Sequence, residues 1–240
     1  MARPIKETPI LYGEDARRFE KRANGKRRED PEKRAKRLEI YNTLKKTLKT
    51  WSVMKEIFKH YSEYQIRRLK NGEKINSFNC GDDDLNDFIL NESHHYQKAL
   101  LSVTYVYEHI DNGEIIGYFS LANDRVSLTD FENKTEFNRF RKSRFVNEKR
   151  IKSYPAVKIC RLGIKKDYHG KGIGSILLYF IKSYFLEENK SGCRFITVDA
   201  YHDAIPFYKN NDFQYLRKDE YDIVTRLLYF DLNDIVEEIA

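Results

Sequence analysis

Apolar side chains recur along this chain in two rhythms, and the order in which the rhythms alternate predicts strands interleaved with helices. Val103–Ile110 and Glu114–Leu121 are rich in β-branched and aromatic residues and flank Asp111-Asn112-Gly113, a turn-forming triplet, so they read as a β-hairpin. Ala156–Ile164, Arg194–Asp199 and Ile223–Phe230 read as further strands. Gly172–Glu187 carries Ile173, Ile176, Leu177, Phe180, Ile181 and Tyr184 at i, i+3, i+4 spacing, which gives a helix with one face for a sheet. Ala204–Asn211 is a short second helix. Asp82, Asp83 and Asp84 suit a helix N-terminus by capping and by the macrodipole, and the helix they open runs to about Lys98 with Leu85, Phe88 and Ile89 inward.

The N-terminal part has a different texture. Lys21–Arg37 is nearly all charged or small and holds too little apolar surface to offset the entropy of ordering it. From Leu38 onward, Tyr41, Leu44, Leu48, Trp51, Met54, Ile57, Phe58 and Tyr61 follow at helical spacing, so a long helix interrupted near Thr50 is expected. Lys70-Asn71-Gly72-Glu73 is a break. The expected organisation is a basic, partly helical extension over 1–70 and a folded α/β domain over 71–240. Within that domain, 126–153 is polar and basic without clear periodicity and reads as an insertion over the sheet, anchored by Phe131, Phe137, Phe140 and Phe145.

Charge sharpens this division. Residues 1–50 hold 16 Lys and Arg against 8 Asp and Glu, so the net of +7 resides in the extension and the remainder sums to −1. Bulk electrostatic attraction to nucleic acid would therefore act first through the extension, unless it is simply a solvated tail. No run approaches the roughly 18 apolar residues that a spanning helix requires, and no secretory leader is visible, so a cytoplasmic protein without membrane contact is expected. Cys80, Cys160 and Cys193 show no CxxC spacing, and the six histidines show no HExxH, so neither a disulfide framework nor a metal site is indicated.

The chemistry concentrates after the strand Val157–Ile164. His169-Gly170-Lys171-Gly172-Ile173-Gly174-Ser175 opens the Gly172–Glu187 helix, and three alternate glycines leave backbone N–H groups uncovered at the positive end of a helix dipole. Such a loop is either an anion site or only a tight helix entry. It is not a Walker loop, because glycine follows Lys171, and not a dinucleotide fingerprint, because Ser175 stands where the third glycine belongs.

The run Arg161-Leu162-Gly163-Ile164 to Tyr168-His169-Gly170-Lys171-Gly172-Ile173-Gly174-Ser175 resembles the acetyl-coenzyme A signature of the GNAT N-acetyltransferases, and Val198–Phe213 resembles the motif that follows it. What the resemblance implies is a mixed, mostly antiparallel sheet flanked by helices that splays open beside Leu162, Gly163 and Ile164. Backbone groups of that strand would hold the pantetheine of acetyl-coenzyme A, and the N–H groups of His169 to Ser175 its pyrophosphate. Tyr208 falls at the family's general-acid position, and its hydroxyl stays protonated at neutral pH. Two positions depart from the pattern: His169 replaces the usual Gln or Arg, and His202 replaces the common Asn, which weakens any side-chain contact from 202.

No general base stands out. Asp199 and Asp203 are near in sequence, whereas Glu108 and Glu114 read as surface charges of the hairpin. Phe78-Asn79-Cys80-Gly81 and Ile116-Gly117-Tyr118-Phe119-Ser120-Leu121 further resemble the acetyltransferase toxins of bacterial toxin–antitoxin pairs, which implies aminoacyl-tRNA as acceptor and an antitoxin-like partner. Lys142, Arg144, Lys149, Arg150 and Lys152 are candidates for a local tRNA patch. Three readings remain: an N-acetyltransferase for a small or protein amine, a tRNA-directed toxin, and a noncatalytic acyl-coenzyme A sensor or nucleic-acid-binding protein. A homodimer is a further expected assembly.

Overall fold

The computed structural model describes residues 63–145, 151–187, 192–217 and 224–235. The expected helix between Leu38 and Tyr61 lies outside the described residues, as do Lys149 and Arg150. Seven strands form one sheet in the order β1-β2-β3-β4-β5-β7-β6. They are β1 Tyr64–Arg68, β2 Val103–His109, β3 Ile115–Ser127, β4 Ser153–Ile164, β5 Phe195–Tyr201, β6 Gln214–Tyr215 and β7 Thr225–Asp231. Every pairing is antiparallel except β4 with β5. This is the mixed, mostly antiparallel sheet that the resemblance implied.

Successive residues of each strand face opposite ways, and the core divides accordingly. Phe119, Leu121, Val157, Ile159, Ile196 and Val198 turn to one face and pack with Leu177, Leu178 and Ile181 of α4, Ile173–Glu187. Their neighbours serve the other face in two separate clusters. Tyr118 packs with Phe78, Phe88 and Ile89 under α1, Asp83–Asp87, and the π turn Phe88–Glu92 that joins it to α2, Ser93–Lys98. Val126, Tyr154, Ala156, Phe195 and Tyr229 pack with Phe137 of α3, Lys134–Arg144. Among the described residues no helix is long and apolar enough to cross a membrane.

Local signals set the boundaries. The side chain of Asp82 accepts from Leu85 N at 2.9 Å, capping α1 as expected. In the hairpin turn Gly113 takes φ +69°, and Asn112 Oδ1 accepts from Glu114 N at 2.9 Å. The segment 126–153 is less of an addition than its polarity suggests. Its first residues continue β3, its last begin β4, and α3 between them seats Phe137 beside Tyr154 and Phe140 beside Phe195 and Tyr229.

β1 is a departure. Residues 64–68, expected within the extension, pair with β2 from Tyr64↔His109 to Arg68↔Tyr105 and form the edge of the sheet. The alternation Tyr64, Ile66 is only five residues long and follows directly on a helical apolar pattern, which hid it. Arg67 holds this edge: Nε and Nη2 each donate to the Glu108 carboxylate at 2.7 Å, and Nη1 and Nη2 to Glu73 at 2.9 and 2.6 Å. Glu108, expected as a surface charge, is buried beneath this fork and also accepts from Gln65 at 2.9 Å.

Arg67→Met leaves Glu108 a buried charge without its main counterion, and breaking such a pair from one side costs about 3 to 5 kcal/mol. Urea unfolding at pH 7 should show a loss near the lower end, since Arg67 is part-exposed. Arg67 also holds the Glu73 carboxyl below its usual range, so this contribution is present at neutral pH and is lost as pH falls through the lowered value.

Candidate active site

β4 and β5 run side by side only briefly. Ala156, Val157 and Lys158 pair with Phe195, Ile196 and Thr197; beyond them β4 continues to Ile164 against β3 alone, and β5 continues to Tyr201 against β7 alone. Along Ile159–Ile164 the β5-facing backbone groups therefore have no strand partner. The register against β3 also skips a residue of β4 here, since Ser120 pairs with Arg161 and Leu121 with Ile159, which leaves Cys160 as a bulge. Bulges bend a strand and re-aim its groups, and this one lies where the two strands part. The expected opening beside Leu162, Gly163 and Ile164 is present in this geometry.

Gly163 has a packing role. A Cβ there would sit 2.7 Å from Tyr118 Cε1, so only glycine lets β4 lie against that ring. Tyr118 is in turn fixed by its hydroxyl, which donates to Leu85 O at 2.6 Å. The chain then turns, with Lys165 N donating to Ile116 O at 2.8 Å and Lys166 N to Asn79 O at 2.9 Å. Gly170 and Gly172 adopt φ +73° and +78°, and open space lies where their side chains would be. Both positions need glycine for the left-handed backbone.

His169 has a definite task. Its Nε2 lies 2.8 Å from Ile164 O, and because a carbonyl only accepts, Nε2 carries the proton. The imidazole thus ties the loop to the end of β4. Lys171 is exposed, its ammonium 4.7 Å from the Tyr168 ring centre. α4 starts at Ile173, and Ile176 N donates to Gly172 O at 3.1 Å, so the N–H groups of Ile173, Gly174 and Ser175 precede the first intrahelical bond. Four features converge at this corner: unpaired strand backbone, a left-handed glycine turn, free helix N–H groups and the positive end of a helix dipole. Such an arrangement can hold an extended ligand with an anionic end.

The second motif meets the first through Gly174. A Cβ on Gly174 would lie 2.9 Å from Cε2 and Cζ of Phe207, so that ring rests on the first turn of α4. Phe207 lies within the second motif, but the sequence gives it no role, because a contact between distant segments has no local signature. It belongs to α5, Ile205–Asn210, which also carries Tyr208. Tyr208 is 6% exposed, with ring contacts to Phe207 at 5.1 Å and Phe213 at 5.4 Å. Burial pushes its phenol well above the ordinary tyrosine value, and among the described residues its hydroxyl has no hydrogen-bond partner. His202 lies exposed in the turn between β5 and α5, ahead of that helix rather than on it.

The charged groups near the parting strands are mostly engaged. Asp199 forms an ion pair with Lys158, one residue of which is on each diverging strand, and Glu114 pairs with Lys165. Asp203 is exposed in the turn beside His202. Arg161, just after the bulge, lies 5.4 Å above the Phe88 ring with Nε 3.5 Å from Asp84. The strand's alternation does not show which groups Lys158 and Arg161 meet.

The acetyltransferase (GNAT) family matches residues 63–213, and the chain belongs to that family. No match to the sequence is found among curated proteins. Solved structures of similar fold include a tyrosine-to-phenylalanine mutant of KacT, at 19% identity and TM-score 0.60 over 73% of this chain and 98% of that one. AtaTR bound with AcCoA is similar at 19% identity and TM-score 0.59, over 75% and 99% of the two chains. AtaT complexed with acetyl-methionyl-tRNAfMet is similar at 19% identity and TM-score 0.57, over 74% and 99%. At these identities the likeness is one of fold.

Gly174→Val forces two methyl groups against Phe207 and must displace either α5 or the first turn of α4. Overpacking of this kind costs about 1 to 3 kcal/mol, which thermal or urea unfolding should register. Unchanged stability would mean that the Phe207 ring is free to swing away.

Proposed function

We propose that this chain is an N-acetyltransferase that moves the acetyl group of acetyl-coenzyme A directly to an amine, with Tyr208 as general acid. The observation that carries the reading is the parting of β4 and β5 directly ahead of a glycine turn at the start of α4, in a chain of the GNAT family. The residues fit the cosubstrate. Unpaired backbone at Leu162, Gly163 and Ile164 suits the amides of pantetheine, and the N–H groups from His169 through Gly170, Lys171, Gly172, Ile173, Gly174 and Ser175 suit a pyrophosphate. His202, exposed beyond β5, is left as a lesser contact.

Acetyl-coenzyme A supplies a thioester, and attack by a neutral amine on its carbonyl carbon breaks the carbon–sulfur bond. Tyr208 donates its proton to the departing sulfur; burial keeps the phenol protonated but also makes it a weaker acid, so the proton moves as the carbon–sulfur bond breaks and not before. The phenolate is then restored by the proton that the acceptor nitrogen loses, carried through water. Asp199, bound to Lys158, is a poor choice of base, and the acceptor amine enters neutral or loses its proton to solvent.

For the acceptor, aminoacyl-tRNA is favoured over a small amine by two observations. α3 exposes Lys134, Arg139 and Lys142 beside the sheet, a cationic face of the kind that phosphate backbones require, and the fold is shared with AtaT complexed with acetyl-methionyl-tRNAfMet. An antitoxin-like partner accompanies this reading. Mass spectrometry of products after incubation with acetyl-coenzyme A and separate pools of charged tRNA, polyamines and peptides decides it. Acetylated aminoacyl-tRNA is expected, acetylation in another pool would reassign the acceptor, and no product in any pool would overturn the transferase reading.

Acetyl-coenzyme A at 100 times its dissociation constant should stabilise the protein by about 2.7 kcal/mol. Gly172→Asp, which strains a φ of +78° and sets a carboxylate at the pyrophosphate position, should abolish that gain in a thermal-shift measurement. Tyr208→Phe keeps the packed ring and removes only the donor. Turnover should fall by about 10² to 10⁴-fold with cofactor affinity unchanged. Wild-type turnover in this mutant, with the chemical step rate-limiting, would assign the proton to another donor.

A further inference from the structure

Lys182 is the one described lysine of α4 whose ammonium is taken into the core, and the transfer reaction as derived above makes no use of it. It is 8% exposed. Its Nζ lies 3.8 Å from the centre of the Phe230 ring on β7 and 5.7 Å from that of Phe213. It donates to Asn211 O at 2.8 Å and stands 3.6 Å from a carboxylate oxygen of Asp212. Asn211 and Asp212 are the residues on which α5 ends.

That ending is built tightly. Asn211 N and Phe213 N both donate to Tyr208 O, at 3.0 and 3.1 Å, and Asp212 N donates to Lys209 O at 3.1 Å. Asn211 Nδ2 reaches back to Phe207 O at 2.8 Å. Asp212 takes φ +67°, a left-handed position at which a residue with a side chain is strained. The last turn of α5 also presents the negative end of the helix, which a cation favours. A single ammonium from α4 thus meets the carbonyl end of the helix that carries Tyr208, while Phe207 rests on Gly174 at the other end of the same α4.

We propose that Lys182 is a positioning residue, whose ammonium clamps the C-terminal turn of α5 to α4 and so holds Tyr208 in place relative to the glycine loop. The proposal rests on the transferase reading above. Its chemistry is that of a charge-assisted hydrogen bond, about twice as strong as one between neutral groups. A neutral amine would still fill the space but would lose most of the attraction to Asn211 O and all of that to Asp212. Among the described residues, Asp212 is the charged group that faces Lys182; β7 and the turn before β6 present only the rings of Phe230 and Phe213.

The clamp is therefore open to titration. Burial lowers the lysine to about 8, with Asp212 opposing part of that shift. Between about 8 and the ordinary lysine value, the unfolded chain binds more protons than the folded one. This group's contribution to stability accordingly rises with pH across that window. Positioning goes the other way, because the ammonium that does the holding is lost. Turnover limited by the clamp should fall as pH rises through about 8, while stability does not fall with it.

The test uses full-length protein, acetyl-coenzyme A and whichever pool the wild type acetylates, with kcat and KM followed from pH 6.5 upward. Lys182→Met should lower kcat by roughly ten- to a hundredfold, with KM for acetyl-coenzyme A nearly unchanged, which is the scale of a small misplacement. Lys182→Arg, which keeps its charge, should recover much of that loss and remove the alkaline limb. Asp212→Asn touches an exposed side chain and should fold; by removing the charge that supports the ammonium it should move the limb to lower pH. Wild-type kcat in Lys182→Met, or a limb that Asp212→Asn leaves in place, overturns the proposal while transfer by the wild type stands. Absence of transfer by the wild type overturns the function reading, and the positioning role falls with it.

Discussion

The whole arrangement depends on two adjacent strands that cannot stay together. A parallel pair is held by evenly spaced hydrogen bonds, and after Lys158 and Thr197 this pair makes none. β4 stays with β3 across the bulge at Cys160, and β5 stays with β7. Each strand keeps one full ladder and gives up most of the other. The polar backbone left over is tolerable only because it faces an opening, where water or a ligand can satisfy it.

The helices convert that opening into a site with two walls. α4 brings its N-terminus beside the end of β4 because its apolar stripe packs on the inner face of the sheet, and the glycine turn gives it the sharp entry it needs. α5 follows β5 on the far wall and is pressed onto α4 through Phe207 and Gly174. His169 closes the corner by tying the loop back to Ile164.

Much of this was legible before the fold was known, and the reasons are local. The hairpin follows from Asn112 and Gly113, the capped helix from Asp82, and α4 from the spacing of its apolar residues. What escaped was decided by partners distant in sequence. β1 is short and ends in two arginines, and its identity as a strand depends on Glu108, whose burial depends in turn on Arg67. Glu108 alone reads as a solvated hairpin charge. β6 is two residues long and offers no pattern at all. At the site, Gly170, Gly172 and Gly174 read as one group, yet they divide: Gly170 and Gly172 serve backbone conformation, whereas Gly174, like Gly163 on the strand, serves close approach to a ring.

The division among the glycines affects how this sequence can change. Gly170 and Gly172 are constrained by their own dihedral angles, so no substitution elsewhere relieves a side chain there. Gly174 is constrained by Phe207, which makes the two positions a unit of variation: a larger residue at 174 is tolerated only with a smaller one at 207, and their energies will not add. Since 207 adjoins Tyr208, drift in the loop is coupled to the neighbour of the proposed proton donor. A family member that lost this glycine would be expected to carry its compensation in the second motif, so the two motifs vary as one.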